Sequence, residues 1–132
     1  MAAKAKRGFS SRIVAAIRDC QVLGIKAGSA PHRIIGIWAV VVENRVFVRS
    51  WSLKPRSWYR SFLDEPQGIV EIEGKRIRVR AVATRSERLK DLVSLAYREK
   101  YATPGSVKYA RDLGRPKSRA TTTELVPLSP RG

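Results

Sequence analysis

The chain has 132 residues, a length that fits one domain with one hydrophobic core. Its 27 lysines and arginines outnumber 11 aspartates and glutamates, and the formal net charge of +16 favours nucleic acid, acidic membrane surfaces or phosphorylated small molecules as partners. The single Cys20 and the single His32 exclude an intrachain disulfide and argue against a multi-cysteine metal site and a Ser-His-Asp triad.

The N-terminal segment, residues 1–9, is a basic tail that we expect to be mobile. It lacks the apolar stretch and small-residue cleavage site of a secretory signal. The longest apolar run, residues 34–42, is too short to span a bilayer. We therefore expect a cytoplasmic protein without a membrane partner or a metal, in which residues 10–132 form a single domain.

The first half of the chain predicts a helix, a short strand and a β-hairpin. A serine cap and apolar residues at helical spacing predict a helix over about residues 10–20, and a short strand follows near residues 22–25. Residues 34–42 are continuously apolar and β-branched, which predicts a strand buried on both faces. A tight turn then leads into a partner strand at residues 46–50.

A short helix and a second hairpin come next. Ser57 is placed to cap a helix that ends near an Asp-Glu-Pro sequence, because proline cannot continue a helix. Residues 69–83 alternate between apolar and polar side chains around a two-residue Glu-Gly turn. This pattern predicts a hairpin in which Glu71 lies opposite Arg76.

The last third of the chain predicts two helices and a final strand. Thr84 and Glu87 form a capping box for an amphipathic helix, and a shorter helix then closes before Pro116. The β-branched residues 121–128 predict a strand, which Pro127 restricts to the edge of a sheet.

The order of these elements predicts an α+β fold that is mainly β. About six mostly antiparallel strands with peripheral helices are typical of a closed or partly open barrel.

Four sequence words within residues 20–128 carry a resemblance to a known superfamily. They are IWAVVVENRVFVRS at residues 37–50, KPRSWYRSFL at 54–63, P-x-G-x-V-E-I-x-G-K at 66–75 and AYREKY at 96–101. In order and spacing they resemble the FMN-binding split-barrel superfamily, which includes pyridoxamine 5'-phosphate oxidases and deazaflavin-dependent nitroreductases. The chain is most similar to a small family of that superfamily classed as a domain of unknown function.

The resemblance implies a split β-barrel and a homodimer that binds FMN or a deazaflavin coenzyme at the subunit interface. Two places then hold the flavin phosphate: the start of the first hairpin's buried strand and the loop after its partner strand. By position Arg33 lies near the strand-start arginine, Ser50 ends the partner strand, and Lys54 and Arg56 lie in the loop. Trp38 departs from the pattern, since the oxidases carry a second basic residue there.

The same positions suit a phosphorylated flavin on physical grounds. Lys54 and Arg56 precede the helix capped by Ser57, where charge-assisted donors and exposed backbone N–H groups favour an anion. Trp38 and Trp51 are candidates for the aromatic walls that a flavin ring needs. We therefore predict a cofactor site comprising Arg33, Trp38, Ser50, Trp51, Lys54 and Arg56.

Structural roles compete with this prediction at several positions. The alternation of its strand makes Arg49 equally a solvated residue or a ligand contact. The aromatic residues of 58–62 have helical spacing and are expected to pack their helix on the barrel, and the arginines of 76–80 are expected to form a solvated face or a dimer contact. Residues 104–120 are the candidate for a segment that covers the site.

Three functional hypotheses follow. The leading one is a flavin- or deazaflavin-binding protein that acts as an oxidoreductase on a small molecule, with the redox step carried by the cofactor. One alternative is a basic β-barrel that binds nucleic acid, and another is a cofactor-free barrel with a structural or partner-binding role. Salt dependence separates the first two, since nucleic-acid binding weakens steeply with ionic strength.

Overall fold

The structure is a computed structural model that describes residues 8–29, 33–54 and 57–128. The helices of these residues are α1 (Ser11–Asp19), α2 (Trp58–Asp64), α3 (Glu87–Lys100), α4 (Val107–Asp112) and α5 (Pro116–Arg119). The strands are β1 (Leu23–Ala27), β2 (Ile35–Ile37), β3 (Ala39–Val42), β4 (Arg45–Val48), β5 (Gln67–Ile72), β6 (Lys75–Ala83) and β7 (Thr123–Pro127).

The strands form one sheet in the order β2-β1-β5-β6-β7-β4-β3, and each neighbouring pair is antiparallel. The two end strands, β2 and β3, are separated in the chain only by Trp38. The ends of the sheet therefore meet, and the sheet is a nearly closed barrel. The predicted α+β, mainly β class is confirmed, with seven described strands where about six were expected.

Both predicted hairpins are present and have tight two-residue turns. Glu43 (φ 55°) and Asn44 (φ 62°) turn the chain between β3 and β4, and Glu73 (φ 51°) and Gly74 (φ 77°) turn it between β5 and β6. Two consecutive positive φ angles match the twist of an antiparallel pair. Asparagine and glycine tolerate that conformation, which explains their place in these turns.

Two hydrophobic clusters share β4 between them. The first fills the barrel with α1 packed against it, and the second lies outside the barrel under α3 and α4. Along β4, Val46 and Val48 point into the barrel while Phe47 points out under α3, and all three are fully buried. β4 thus holds the helical layer onto the barrel.

The prediction of a single strand over residues 34–42 is wrong in one respect, because the strand is broken at Trp38. Its second half, β3, is buried on both faces as predicted, but Ile35 in β2 is 44% exposed. The chain passes at Trp38 from one end of the sheet to the other, so the two halves have different neighbours.

The edge position predicted for the last strand is also wrong, since β7 lies inside the sheet between β6 and β4. Of the residues of β7, only Thr123 to Leu125 pair with β4. Pro127 lies beyond these pairs, opposite Val79 of β6. A proline is tolerated there because the β4 side of β7 needs no ladder donor at that point.

The start of α3 differs from the predicted capping box at Thr84. Ser86 is the N-cap, and its hydroxyl accepts a hydrogen bond from the Leu89 amide at 3.1 Å. The helix that was predicted to close before Pro116 is α4, and Pro116 opens a further short helix, α5. Within the described part of the chain, none of the helices has the length and apolar character that crossing a bilayer requires.

Candidate functional site

Four aromatic side chains form a cluster where β2 passes into β3. Trp38 stacks on Tyr101 with ring centroids 3.8 Å apart, and Trp51 meets Trp38 edge-on at 5.4 Å. Tyr109 of α4 contacts Trp51 at 6.3 Å. Trp51 and Tyr109 are 42% and 48% exposed, so this aromatic cluster presents rings to solvent. The structure brings together the predicted pair Trp38 and Trp51.

Sequence reasoning missed Tyr101 and Tyr109 as members of this cluster. Tyr101 closes α3, and its ring is buried under Trp38. Tyr109 lies in residues 104–120, the segment expected to cover the site, and its ring contacts Trp51. The AYREKY word contained Tyr101, but nothing local indicated that its ring faces Trp38.

Buried tyrosine hydroxyls hold the backbone around Trp38. The Tyr97 hydroxyl donates to the Trp38 carbonyl at 2.8 Å and accepts from the Arg49 amide at 3.0 Å. The Tyr101 hydroxyl donates to the Gln21 carbonyl at 2.9 Å. Burial raises the pKa of both tyrosines well above the usual value, so both hydroxyls remain donors even at a pH where an exposed tyrosine ionises.

Arg49 is a buried structural residue, which rules out the solvated strand position that the sequence left open beside a ligand contact. Only 2% of it is exposed. Its Nε donates to Thr122 Oγ1 at 2.8 Å, and its Nη2 donates to the Lys90 carbonyl at 2.7 Å. Its Nη1 donates to Ser94 Oγ at 2.7 Å and to the Leu113 carbonyl at 2.8 Å. Burial lowers the pKa of Arg49 to about 10, and no described carboxylate forms an ion pair with it.

Ser50 is buried and shapes the loop that follows β4. Its hydroxyl donates to the Ser52 carbonyl at 2.7 Å and accepts from the Ser52 amide at 3.1 Å. Its own amide donates to Thr121 Oγ1 at 2.8 Å. These bonds fix the direction in which Trp51 leaves the strand.

A second feature lies at the other end of β2. A cavity of about 250 Å³ is lined by Ile25, Lys26, Ala27, Arg33, Ile35, Trp58 and Ser61. Its lining contains two cations and no carboxylate, so we call it the cationic cavity. Arg33 is exposed at its rim. Such a lining suits an anionic group beside an apolar one.

Trp58 contributes to the cationic cavity from α2. It also meets Phe62 edge-on at 6.0 Å, and Phe62 is buried in the barrel core. The prediction that aromatic residues pack α2 on the barrel is confirmed for Trp58 and Phe62, whereas Tyr59 contacts Trp58 edge-on at 6.2 Å and is not part of the core cluster. Trp58 also lines the cationic cavity, which its helical spacing alone did not indicate.

The cationic cavity and the aromatic cluster lie at opposite ends of β2. Arg33 precedes β2 and Trp38 follows it, and five residues of extended chain span roughly 16 Å. Trp51 contacts one end and Trp58 lines the other, so the connection from β4 to α2 joins the two ends. Lys54 lies exposed in this connection, and the predicted Arg56 is outside the described residues, as is His32.

Apart from Lys54, the predicted site residues that the structure describes therefore fall into two groups, one at each end of β2. Trp38, Ser50 and Trp51 lie at the aromatic end, whereas Arg33 lies with Lys26, a residue that sequence reasoning did not single out. The described residues hold no group of three or more histidine, cysteine, aspartate or glutamate side chains suited to a metal. The chemistry that this arrangement supports is binding of an anionic, partly aromatic molecule.

Comparison with known proteins gives the family of the chain. The profile of the family described as "Uncharacterized protein conserved in bacteria (DUF2255)" matches residues 12–125. The chain belongs to this family. No curated protein matches it.

The fold is similar to that of a solved structure. The crystal structure of the conserved hypothetical protein Rv2991 from Mycobacterium tuberculosis matches with a TM-score of 0.60 and 10% sequence identity, over 98% of this chain and 86% of that one. At this identity the likeness concerns the fold alone.

Proposed function

We propose that this DUF2255 protein is a split barrel of the FMN-binding type that holds FMN or a deazaflavin coenzyme along β2 and acts as an oxidoreductase on a small molecule. The phosphate would lie in the cationic cavity, and the flavin ring would lie against the aromatic cluster. The resemblance of four sequence words to that superfamily supports the class of cofactor.

One observation carries the proposal: a cation-lined cavity without a carboxylate and a partly exposed aromatic cluster stand roughly 16 Å apart on one strand. This separation is comparable with the length of an extended flavin mononucleotide. The donor set also fits the cofactor, because a phosphate needs converging cations and an isoalloxazine ring needs apolar walls.

The side chains divide the work of binding between them. Arg33 offers a planar fork for two phosphate oxygens and Lys26 offers a point charge from the same cavity, while Lys54 offers a further point charge from the loop after β4. Trp38, fixed by its stack on Tyr101, offers a rigid wall, and Trp51 closes the ring region from the side. The flavin, when bound, supplies the hydride or electron transfer, so this chain needs no acid–base dyad of its own.

Exposed apolar residues beside the aromatic cluster suit a homodimer that completes the site. Trp51, Leu53 and Tyr109 are 42%, 39% and 48% exposed. A second copy covering them would exclude water from the flavin ring, in keeping with an interface location for the cofactor.

A titration with FMN and with the deazaflavin coenzyme, followed by flavin fluorescence, tests the proposal. We expect saturable binding by the wild type. The Arg33→Gln and the Lys54→Gln/Arg56→Gln variants should bind about tenfold more weakly or worse, since each charge-assisted bond contributes about 1.5–3 kcal/mol.

The matched control replaces Arg12 and Arg98 by glutamine, because these exposed arginines of α1 and α3 do not line the cationic cavity. The control should bind as the wild type does. Absence of binding by the wild-type dimer at low salt would reject the flavin proposal and leave a cofactor-free barrel. Equal losses in control and test variants would place the cofactor elsewhere.

A further inference from the structure

The outward face of β1, β5 and β6 carries a regular array of positive charge. On β6, Arg76, Arg78 and Arg80 alternate with inward residues, and all three are exposed. Successive outward side chains on a strand stand about 6.8 Å apart, so the row spans about 14 Å. Lys26 lies in the same cross-strand row as Arg78, with Ile69 between them. We call this surface the arginine face.

The two strands beyond Glu71 carry glycines in the cross-strand row that begins at Arg76. Gly24 of β1 pairs with Gly36 of β2, so the row that begins at Arg76 has no side chain on either of these strands. A groove of about 500 Å³ lies beside Arg76, with Lys26, Arg33, Ile34 and Glu71 among its lining residues. The Ile34 side chain lies 3.0 Å from where a Cβ atom at Gly24 would stand, and the Val22 side chain would overlap one at Gly36. A molecule in the groove would therefore meet apolar side chains flanked by cations.

The acidic residues bordering the arginine face are engaged locally. Glu71 lies opposite Arg76, as predicted, and its Oε2 is 3.3 Å from the Arg76 Nε. Glu65 Oε1 accepts from both the amide and the hydroxyl of Ser29, each at 3.1 Å. Arg78 and Arg80 form no ion pair with a described residue. The face therefore keeps a clear positive excess.

We propose that the arginine face binds the phosphate backbone of a nucleic-acid duplex without reading its sequence. A 14 Å row of guanidinium groups matches the rise of about four base pairs, and arginine forks suit phosphate oxygens. The described residues of the face include no aromatic ring for base stacking, so a single strand would gain less from it than a duplex does. A second copy of the chain does not fit, because two arginine rows would face each other.

The β6 arginines do not line the cationic cavity, whereas Lys26 and Arg33 line both that cavity and the groove beside Arg76, so the duplex test uses the β6 arginines alone. The test uses fluorescence anisotropy with a labelled duplex of about 20 base pairs over a range of salt concentrations. We expect the Arg76→Gln/Arg78→Gln/Arg80→Gln variant to bind at least tenfold more weakly at low salt. The slope of log K against log salt should decrease in magnitude by about 2–3, because each phosphate contact contributes about 0.9 to it.

The control is Arg12→Gln/Arg98→Gln/Arg111→Gln, which removes the same charge from exposed positions on α1, α3 and α4. It should retain nearly all of the affinity and slope, and both variants keep the basic N-terminal residues. The single variant Arg78→Gln should show about a third of the slope change. Unchanged flavin binding by the triple β6 variant would show that the two sites are independent.

Three outcomes would overturn the proposal. The first is an equal loss of duplex binding in the control, which would mean that overall charge suffices. The second is tighter binding of a single strand than of a DNA or RNA duplex. The third is binding to vesicles containing phosphatidylserine without binding to the duplex, which would assign the arginine face to a membrane surface.

Discussion

Arg49 is a buried cation whose four side-chain hydrogen bonds all end on neutral acceptors. Burying a charge without a counterion costs much free energy unless hydrogen bonds replace its hydration. Two of the acceptors are backbone carbonyls, at Lys90 within α3 and at Leu113 after α4. Arg49 therefore ties β4 to both helices, and its geometry leaves little freedom for another side chain.

We predict that Arg49→Lys lowers the free energy of unfolding by about 3–5 kcal/mol. The ammonium group cannot reach the four acceptors in a fork, and the acceptors left behind are buried. Urea denaturation measures the change, with the exposed Arg98→Lys as a control expected to stay within about 0.5 kcal/mol. A loss below about 1 kcal/mol for Arg49→Lys would contradict the buried role.

The buried tyrosines Tyr97 and Tyr101 predict a loss of stability at alkaline pH. Their pKa values are raised in the folded state, whereas an unfolded chain ionises tyrosine near pH 10. Above that pH the unfolded state binds fewer protons, so the free energy of unfolding falls as pH rises.

Urea denaturation at several pH values up to about pH 11 measures this loss. Tyr97→Phe should start from a lower stability, because it loses the bond to the Trp38 carbonyl, but its alkaline decline should be shallower. A decline parallel to that of the wild type would show that Tyr97 is not responsible.

At the scale of the element, α3 supports both the barrel and the aromatic cluster. Leu89, Val93 and Tyr97 pack on the outer face of the barrel, and Tyr101 at the end of the helix carries the Trp38 ring. A weaker cap or a different start of α3 would therefore shift the Trp38 ring that stacks on Tyr101. Ser86 provides that cap.

We predict that Ser86→Ala destabilises the protein by about 1 kcal/mol, because the Leu89 amide loses its acceptor. Thr84→Ala should cost less than about 0.5 kcal/mol, since Thr84 is not the cap. Chemical denaturation of the two variants makes the comparison. A larger loss for Thr84→Ala than for Ser86→Ala would support the capping box at Thr84 that the sequence pattern predicted.

At the scale of the whole molecule, the barrel depends on close approach between β1, β5 and α2. Gly68 of β5 pairs with Ala27 of β1, and a Cβ atom at Gly68 would overlap the Lys26 carbonyl oxygen and lie 2.9 Å from the Phe62 ring. The first of these neighbours is backbone and cannot turn aside. A glycine is therefore required where the three elements converge.

We predict that Gly68→Ala lowers the free energy of unfolding by about 2–3 kcal/mol through overpacking. Gly105→Ala serves as the control, because a Cβ atom there meets nothing within 4 Å. Thermal and urea unfolding should show a clear loss only for Gly68→Ala. Equal stability of the two variants would mean that β1 and β5 have room to separate.

Local features of this fold were predictable, and its long-range pairings were not. The β5–β6 hairpin followed from its own turn and alternation, whereas the interior place of β7 depends on pairing with residues 46–48, far back in the chain. The break at Trp38 likewise reflects closure of the barrel. A local pattern contains no information about which distant strand becomes a neighbour.

The candidate site shows the same division. Trp38 and Trp51 were chosen together as candidate aromatic walls for a flavin ring, and the structure places their rings 5.4 Å apart. The alternation around Arg49 gave no indication of its burial, because its acceptors come from α3, from the residue after α4 and from the residue before β7. Lys26 was overlooked because it is separated in sequence from Arg33, although both line the cationic cavity.

The position of Arg49 has a consequence for the rate of unfolding. Its acceptors lie 41, 45, 64 and 73 residues further along the chain, so the guanidinium cannot exchange its hydration shell until all these segments have docked. We expect this insertion to follow the folding transition state. Stopped-flow measurements on Arg49→Lys should then show much faster unfolding with nearly unchanged folding, and a matching fall in the folding rate would contradict this. On this view Arg49 sets the lifetime of the native barrel more than the speed of its formation.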